Sequence, residues 1–161
     1  QETCYCGALE QGDVLYLCKV DSPQPLRVLT QTGRRMPAYA TSLGKALLTD
    51  HTLPQLEALY PGGLTAVTDA TVTDLQVLYG QLKQAEQDGY SWEGEESTRH
   101  VRCLAVPVRK HGTIVAAVSM AIPCFRYEKD RQQEIVEALR QTALCIGRTM
   151  EQTDAHFGEL F

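Results

Sequence analysis

The feature that most constrains the fold is an apolar segment, 101–122, which is interrupted once by the tight turn Lys110-His111-Gly112. Side chains alternate between the two faces of a strand, so this segment predicts an antiparallel hairpin with two distinct faces. When the turn is centred on His111, Cys103 is predicted to pair with Ser119, and Ala105 with Ala117.

The two faces of this predicted hairpin differ in side-chain size. The large face predicts a core against helices, whereas the small face leaves room for either a closely packed helix or a cavity. The large side chains are Leu104, Val106, Val108, Ile114, Ala116, Val118, Met120 and Ile122. The small ones are Cys103, Ala105, Ala117, Ser119 and Ala121.

Other segments supply the remaining strands. Residues 3–9 and 13–20 predict two strands around the turn Gln11-Gly12, and Leu26–Thr30 predicts a third. Residues 90–96 predict another strand before the hairpin. About six strands, mostly in consecutive hairpins with helices inserted and appended, favour an α+β domain with an antiparallel sheet.

Four segments have helical periodicity. A capping-box pattern beginning at Thr73 opens the third helix, which ends at Gly89. The predicted helices run from Ser42 to about Thr49, from Thr52 to Pro61, from Thr73 to Gly89, and from about Asp130 to Met150. The last one is predicted to bury Ile135, Leu139, Thr142, Ile146 and Met150. Residues 1–151 are expected to form one domain, followed by a loosely ordered tail over 152–161.

Composition excludes several classes of protein. The chain has 161 residues, a net charge of −5 and no block of basic residues, which disfavours direct nucleic-acid binding. No apolar run is long enough to span a membrane, so no membrane partner is expected. The six cysteines form no CxxC pair, which favours reduced thiols in a cytoplasmic protein. The absence of an initiator Met suggests a fragment of a longer chain.

The stretch 33–45, GRRMPAYATSLGK, predicts an anion site. A turn leads through Met36-Pro37 to Thr41-Ser42 at a helix start, where several backbone N–H groups have no intrahelical partner. The simpler interpretation is that Thr41 or Ser42 only caps the helix. Lys45 either assists an anion or faces solvent, and Arg34 and Arg35 are expected to contact solvent or a partner chain.

The polar segment SWEGEESTRHVR, 91–102, is predicted to lie over the small face. We expect Glu95 and Glu96 to form a solvated cluster with the neighbouring basic residues. Glu93 lies between Trp92 and Gly94, and its carboxylate could accept hydrogen bonds from ligand hydroxyls.

Several segments together resemble the effector-binding domain of the IclR family of bacterial transcription regulators. They are GRRMPAYATSLGKALL, GYSWEGEE, VRCLAVPVRKHG and VAAVSMAIP, and the resemblance extends from about residue 2 to 150. It implies a GAF/profilin-like antiparallel sheet with helices on both faces. It also implies a winged helix-turn-helix domain before residue 1, through which a homodimer or homotetramer would bind operator DNA.

The resemblance further implies a ligand and its binding residues. The ligand would be a small keto, hydroxy or sugar acid, and the domain would belong to a repressor of a catabolic operon. The backbone amides of Ser42 and Leu43 would hold the carboxylate. Other binding positions carried over from the family are Met36, Glu93, Val101, Cys103 and Ser119. No catalytic residue, metal or cofactor is implied.

Three positions differ from the usual family pattern. Glu93 stands where Asp is common, Ala121 replaces a small hydroxyl residue, and Leu43 is bulkier than the residue in some members. These differences imply that the preferred effector differs from that of members with two hydroxyl residues.

Three alternatives remain open at this point. A small enzyme on the same fold would use Cys103 as a reactive thiol. A metal sensor would combine Cys103, Glu93 and His100, although their spacing is irregular. An oligomerisation module would bind no ligand at all.

Overall fold

The computed structural model describes residues 1–28 and 30–153 of the chain. Within them, one antiparallel sheet has six strands in the order β3-β2-β1-β6-β5-β4. The predicted α+β class, with a six-stranded antiparallel sheet and helices on both faces, is confirmed. The strands are β1 (Thr3–Glu10), β2 (Asp13–Val20), β3 (Arg35–Pro37), β4 (Ser91–Gly94), β5 (Val101–Lys110) and β6 (Thr113–Pro123).

The helices begin and end where local residue types favour it. The Thr41 hydroxyl accepts a hydrogen bond from the Gly44 N–H at 2.9 Å and caps the first helix. Asp74, not the predicted Thr73, caps the third, and Gly89 ends it in a left-handed conformation. The four α-helices of the described residues are α1 (Ser42–Leu48), α2 (Leu53–Leu59), α3 (Leu75–Asp88) and α4 (Gln132–Thr153).

The prediction of a strand over Leu26–Thr30 is wrong for the described residues of that segment. Two prolines, Pro23 and Pro25, precede it and cannot donate ladder hydrogen bonds. The exposed edge of β2 pairs with Arg35–Pro37 instead. The segment that was predicted as a strand is held by the Tyr5 hydroxyl, which donates a hydrogen bond to the Val28 carbonyl at 3.0 Å.

The central hairpin forms as predicted, but its pairing differs by two positions. Cys103 pairs with Ala121, and Ala105 pairs with Ser119. The turn residues are His111 and Gly112, which both have positive φ, so the turn is one residue shorter than the sequence suggested. A bulge supplies the remaining shift of one residue.

The bulge also corrects the face assigned to one side chain. The register shifts between Val108 and Arg109, opposite Ile114 and Ala116. Val115 is therefore the extra residue and packs on the α4 side, while Ile114 turns to the small face. The rest of the predicted alternation is unaffected, because a shift of two residues preserves the faces.

The two faces are covered by different helices. Leu43 and Leu47 of α1 pack against the small face, together with α3, whereas α4 packs against the large face. Thr142 was predicted to be buried in α4 but is exposed, and Ala143 takes the inward position. Residues 152 and 153 of the predicted tail belong to α4, and 154–161 lie outside the described residues.

Candidate functional site

A cavity of about 510 Å³ lies between the small face of the sheet and the start of α1. The sequence predicted seven ligand-binding residues, and the structure brings six of them together in the cavity lining. They are Met36, Ser42, Leu43, Val101, Cys103 and Ser119. The small face thus carries both a packed helix and a cavity.

The start of α1 forms one end of this cavity. Ser42 and Leu43 are the first two helical residues, so their N–H groups have no acceptor within the helix. Thr41 is the N-cap, as the simpler interpretation proposed, and its hydroxyl bonds to Gly44 rather than to these two amides. A Cβ at Gly44 would lie 2.1 Å from the Ala38 carbonyl oxygen, so glycine allows α1 to start this close to the preceding turn.

Glu93 does not belong to the lining of the cavity. Its side chain is 0% exposed, and its Oε2 accepts a hydrogen bond from the Glu96 N–H at 2.8 Å. Its Oε1 accepts one from the Ser97 hydroxyl at 3.0 Å. Burial raises the pKa of this carboxyl group, against the effect of those hydrogen bonds. Glu93 therefore anchors the loop that forms the cavity wall.

A buried ion pair lies behind α1. Lys45 is 2% exposed and its Nζ is 2.6 Å from Oε1 of Glu96 and 2.8 Å from Oε1 of Gln81. The expectation that Glu96 is solvated is wrong, and Lys45 faces the interior rather than solvent. Burial lowers the pKa of Lys45, although Glu96 opposes this effect. The ion pair joins α1 to the loop after β4.

Cys103 has the environment of an unreactive thiol. Burial raises its pKa well above the ordinary value, and the nearby Glu93 carboxylate adds to this increase. A raised pKa keeps the sulfur protonated, whereas nucleophilic cysteines need a lowered one. In the described residues, no group of three or more His, Cys, Asp or Glu is arranged to hold a metal ion. His100, a member of the proposed metal set, is exposed.

Comparison with known proteins decides the family. The model described as Bacterial transcriptional regulator IclR C-terminal matches residues 1–148. The chain belongs to the IclR family. It is 33% identical over 159 residues to the HTH-type transcriptional regulator KdgR of Escherichia coli K12, covering 98% of this chain and 60% of KdgR. It is also 34% identical to the repressor AllR of Salmonella typhimurium LT2, covering 92% of this chain and 56% of AllR.

Solved structures of IclR-family domains have the same fold. The C-terminal domain of E. coli KdgR has a TM-score of 0.82 and 32% identity, with 93% of this chain and 88% of that chain covered. A double mutant of the inducer-binding domain of the transcription factor PobR from Acinetobacter, in complex with 3-hydroxybenzoic acid, has a TM-score of 0.79 and 27% identity. That match covers 91% of this chain and 87% of PobR. These relatives are transcriptional regulators rather than enzymes, as the sequence predicted.

Two further observations concern the length of the chain relative to KdgR and the character of its helices. The chain spans about three fifths of the length of KdgR. Among the described residues, no helix has the length and apolar character needed to cross a bilayer.

Sequence reasoning missed several lining residues of this IclR-family domain. Tyr5 and Tyr16 line the cavity, and their rings meet edge to face with centroids 5.3 Å apart. β1 lies beside β6, where Tyr5 pairs with Ser119. Alternation along β1 was readable, but its pairing with a strand more than a hundred residues away was not. Arg34 was expected to contact solvent or a partner chain, yet it lies at the mouth of the cavity.

Proposed function

We propose that the cavity binds a small organic acid and that the chain is the effector-binding domain of a transcriptional regulator. The main support for this proposal is that one cavity contains both backbone amides at the start of α1 and side-chain hydroxyls that make no hydrogen bond within the protein. Within the described part of the chain, the hydroxyls of Tyr16 and Ser119 make no hydrogen bond.

This arrangement suits an acid that carries a second oxygen function. The Ser42 and Leu43 N–H groups donate to the carboxylate, since backbone amides at a helix start are suited to an anion. The Ser119 and Tyr16 hydroxyls can donate to a keto oxygen or accept from an alcohol. The aromatic and aliphatic walls exclude water from the carbon skeleton. The relative PobR, described in complex with 3-hydroxybenzoic acid, supports this class of ligand.

In a bacterial cytoplasmic regulator, effector binding would change the affinity for operator DNA indirectly. The effector contacts both α1 and the loop after β4, and the Lys45–Glu96 ion pair connects the same two elements. A ligand that prefers one arrangement of these elements shifts the population towards it. In a homodimer or homotetramer, that shift would alter the spacing of N-terminal winged helix-turn-helix domains and release operator DNA, as expected of a repressor.

Calorimetry on this chain tests the binding step. Keto, hydroxy and sugar acids are first screened by thermal shift, and each stabilising acid is titrated into wild type and Ser119→Ala. Losing one hydrogen bond in the cavity should weaken binding about tenfold. Thr142→Ala is the control, because it removes a hydroxyl from the exposed side of α4, on the opposite face of the sheet from the cavity.

Two results would overturn this proposal. One is the absence of a thermal shift across the whole acid panel, which favours the oligomerisation module. The other is equal weakening by Ser119→Ala and Thr142→Ala, which would place the ligand elsewhere. The regulatory step is tested with the full-length regulator: saturating acid should lower its affinity for operator DNA, and unchanged affinity would contradict a repressor released by its effector.

A further inference from the structure

The described lining of the cavity contains basic side chains and no acidic ones. Four basic side chains line it: Arg27, Arg34, Arg99 and His100. Within residues 1–28 and 30–153, the lining contains no Asp or Glu, although the whole chain has a net charge of −5. The lining itself is therefore basic, with the buried Glu93 carboxylate outside it, and a basic lining favours ligands with more than one negative charge.

Two of the four basic groups already have acidic partners. Arg99 lies 2.7 Å from Asp69, and His100 lies 3.5 Å from Glu95. Arg27 and Arg34 differ, because neither forms an ion pair with any residue that the structure describes. These two guanidinium groups therefore remain available to a ligand.

Arg34 is held at the cavity by its backbone. Its carbonyl accepts a hydrogen bond from the Tyr16 N–H at 3.0 Å, and the Gly33 N–H donates to the Tyr16 carbonyl at 2.8 Å. The guanidinium charge acts on the Tyr16 phenol inside the cavity. Burial raises the pKa of that phenol most, neighbouring groups that include the Glu93 carboxylate add to the increase, and Arg34 opposes it. The charge of Arg34 thus reaches the cavity interior as well as solvent.

Arg27 lies between two anchored residues. The Leu26 carbonyl accepts a hydrogen bond from Nη2 of Arg126 at 2.9 Å, and the Val28 carbonyl accepts one from the Tyr5 hydroxyl at 3.0 Å. Tyr5 itself lines the cavity. The backbone on both sides of Arg27 is therefore fixed at the cavity mouth, and less conformational entropy is lost when the guanidinium binds an anion.

We propose that the effector is a dicarboxylic acid, with one carboxylate at the Ser42 and Leu43 amides and the second at Arg27 and Arg34. This inference rests on the proposed function and narrows its class of ligand. A guanidinium binds a carboxylate through two parallel hydrogen bonds, which gives geometric selection as well as charge. A monocarboxylic acid of the same length satisfies the inner end only and leaves both arginines without a partner.

Matched pairs of acids test this directly. 2-Ketoglutarate is compared with 2-ketovalerate, and isophthalate with 3-methylbenzoate, because in each pair a methyl group replaces one carboxylate of the same skeleton. Calorimetry should give a dissociation constant about tenfold lower for the dicarboxylate of a pair, and added salt should reduce this preference. The double variant Arg27→Gln/Arg34→Gln should bind both acids of that pair equally. Arg148→Gln, an exposed charge loss on α4, should leave the preference intact.

The outcomes separate this proposal from the one on which it rests. If monocarboxylates bind as tightly as their partners, and the arginine variants change neither, the dicarboxylate inference is overturned while the organic-acid cavity stands. If no acid of either kind binds to wild type, both proposals fail. If the double variant weakens binding of the monocarboxylate as much as binding of the dicarboxylate, the arginines do not bind the second carboxylate. The inference is then likewise overturned.

Discussion

The two faces of the sheet show how side-chain size determines what lies above a strand pair. On the α4 face, Leu104, Val106 and Leu139 belong to one closely packed hydrophobic core. On the α1 face, the same hairpin presents Ala105, Ala121 and other small residues, and a cavity of about 510 Å³ remains. One hairpin therefore builds a closely packed face and a face with a cavity by alternating large with small residues.

The α1 side also contains charged groups deep in the protein. Lys45 and Glu96 are 2% and 6% exposed, and Glu93 is 0% exposed. Burying charges costs free energy that the ion pair only partly offsets. On the α1 side stability thus depends in part on polar partners, whereas on the α4 side it depends on apolar contact.

The largest expected effect is the loss of the buried cation. Lys45→Met keeps the side-chain length but leaves the buried Glu96 carboxylate without its charged partner. The free energy of unfolding should fall by about 3–5 kcal/mol. Urea denaturation followed by circular dichroism measures this loss.

The matched control for that change is the double variant Lys45→Met/Glu96→Gln. Without an unpaired charge, it should recover most of the lost stability. Equal losses in the single and double variants would contradict this account of the ion pair. They would mean that both faces depend mainly on apolar packing.

An intermediate effect should separate the two faces directly. Ala116→Val adds volume to the closely packed α4 face and should cost about 1–3 kcal/mol of unfolding free energy. Ala121→Val points into the cavity and should cost less than about 1 kcal/mol, because space is present there. The same substitution should weaken binding of any acid that the cavity accepts. Thermal unfolding and calorimetry on both variants provide the comparison.

A reversed order of stability would contradict the difference between the faces. If Ala121→Val were the more destabilising, the cavity would be unable to accept even small side chains. If Ala121→Val left ligand binding unchanged, the ligand would not contact this part of the small face.

The smallest expected effect concerns an ion pair at the periphery of both faces. Arg109 binds Asp50, just after α1, at 2.7 Å and 2.8 Å, and its carbonyl lies 2.5 Å from where a Cβ at Gly147 of α4 would be. The Arg109 hydrogen bonds lower the pKa of Asp50 below its ordinary value of 3.8. The pair therefore stabilises the fold above that pH, and this contribution is lost as pH falls through the lowered pKa.

Asp50→Asn tests this contribution. Because Asp50 and Arg109 are both partly exposed, the variant should lose less than about 1 kcal/mol at neutral pH. Chemical denaturation at neutral pH and at about pH 3 should show this difference shrinking in acid. A difference that stays constant with pH would mean that the carboxylate charge plays no part.

The sequence predicted what local periodicity determines. Alternation placed Cys103 and Ser119 on one face of the hairpin, and the helix start at Ser42 was readable from residue types alone. The exact pairing was not readable, because the bulge at Val115 depends on how β5 and β6 fit the whole sheet. Ile114 was consequently assigned to the wrong face.

The charged residues were the hardest to place from the sequence. Glu93, Glu95 and Glu96 stand close together in the chain, yet Glu93 and Glu96 are buried and Glu95 is not. Their burial depends on partners distant in sequence, such as Lys45, and no local pattern indicates those contacts. The cavity residues Arg27 and Arg34 were missed for a related reason: neither of them lies in a helix or a strand.

Two side chains of the loop after β4 lie outside the strand pairing, so substitutions there leave the sheet unchanged. Glu95 and His100 at its two ends have φ values of 63° and 61°, and the Glu95 N–H donates to the Val101 carbonyl at 2.8 Å. Between these fixed ends, Thr98 and Arg99 reach the cavity without contributing to strand pairing. These two side chains are therefore the part of the loop that substitution can change while Glu96 keeps its ion pair, and we expect a library restricted to them to change ligand preference without altering the strand register.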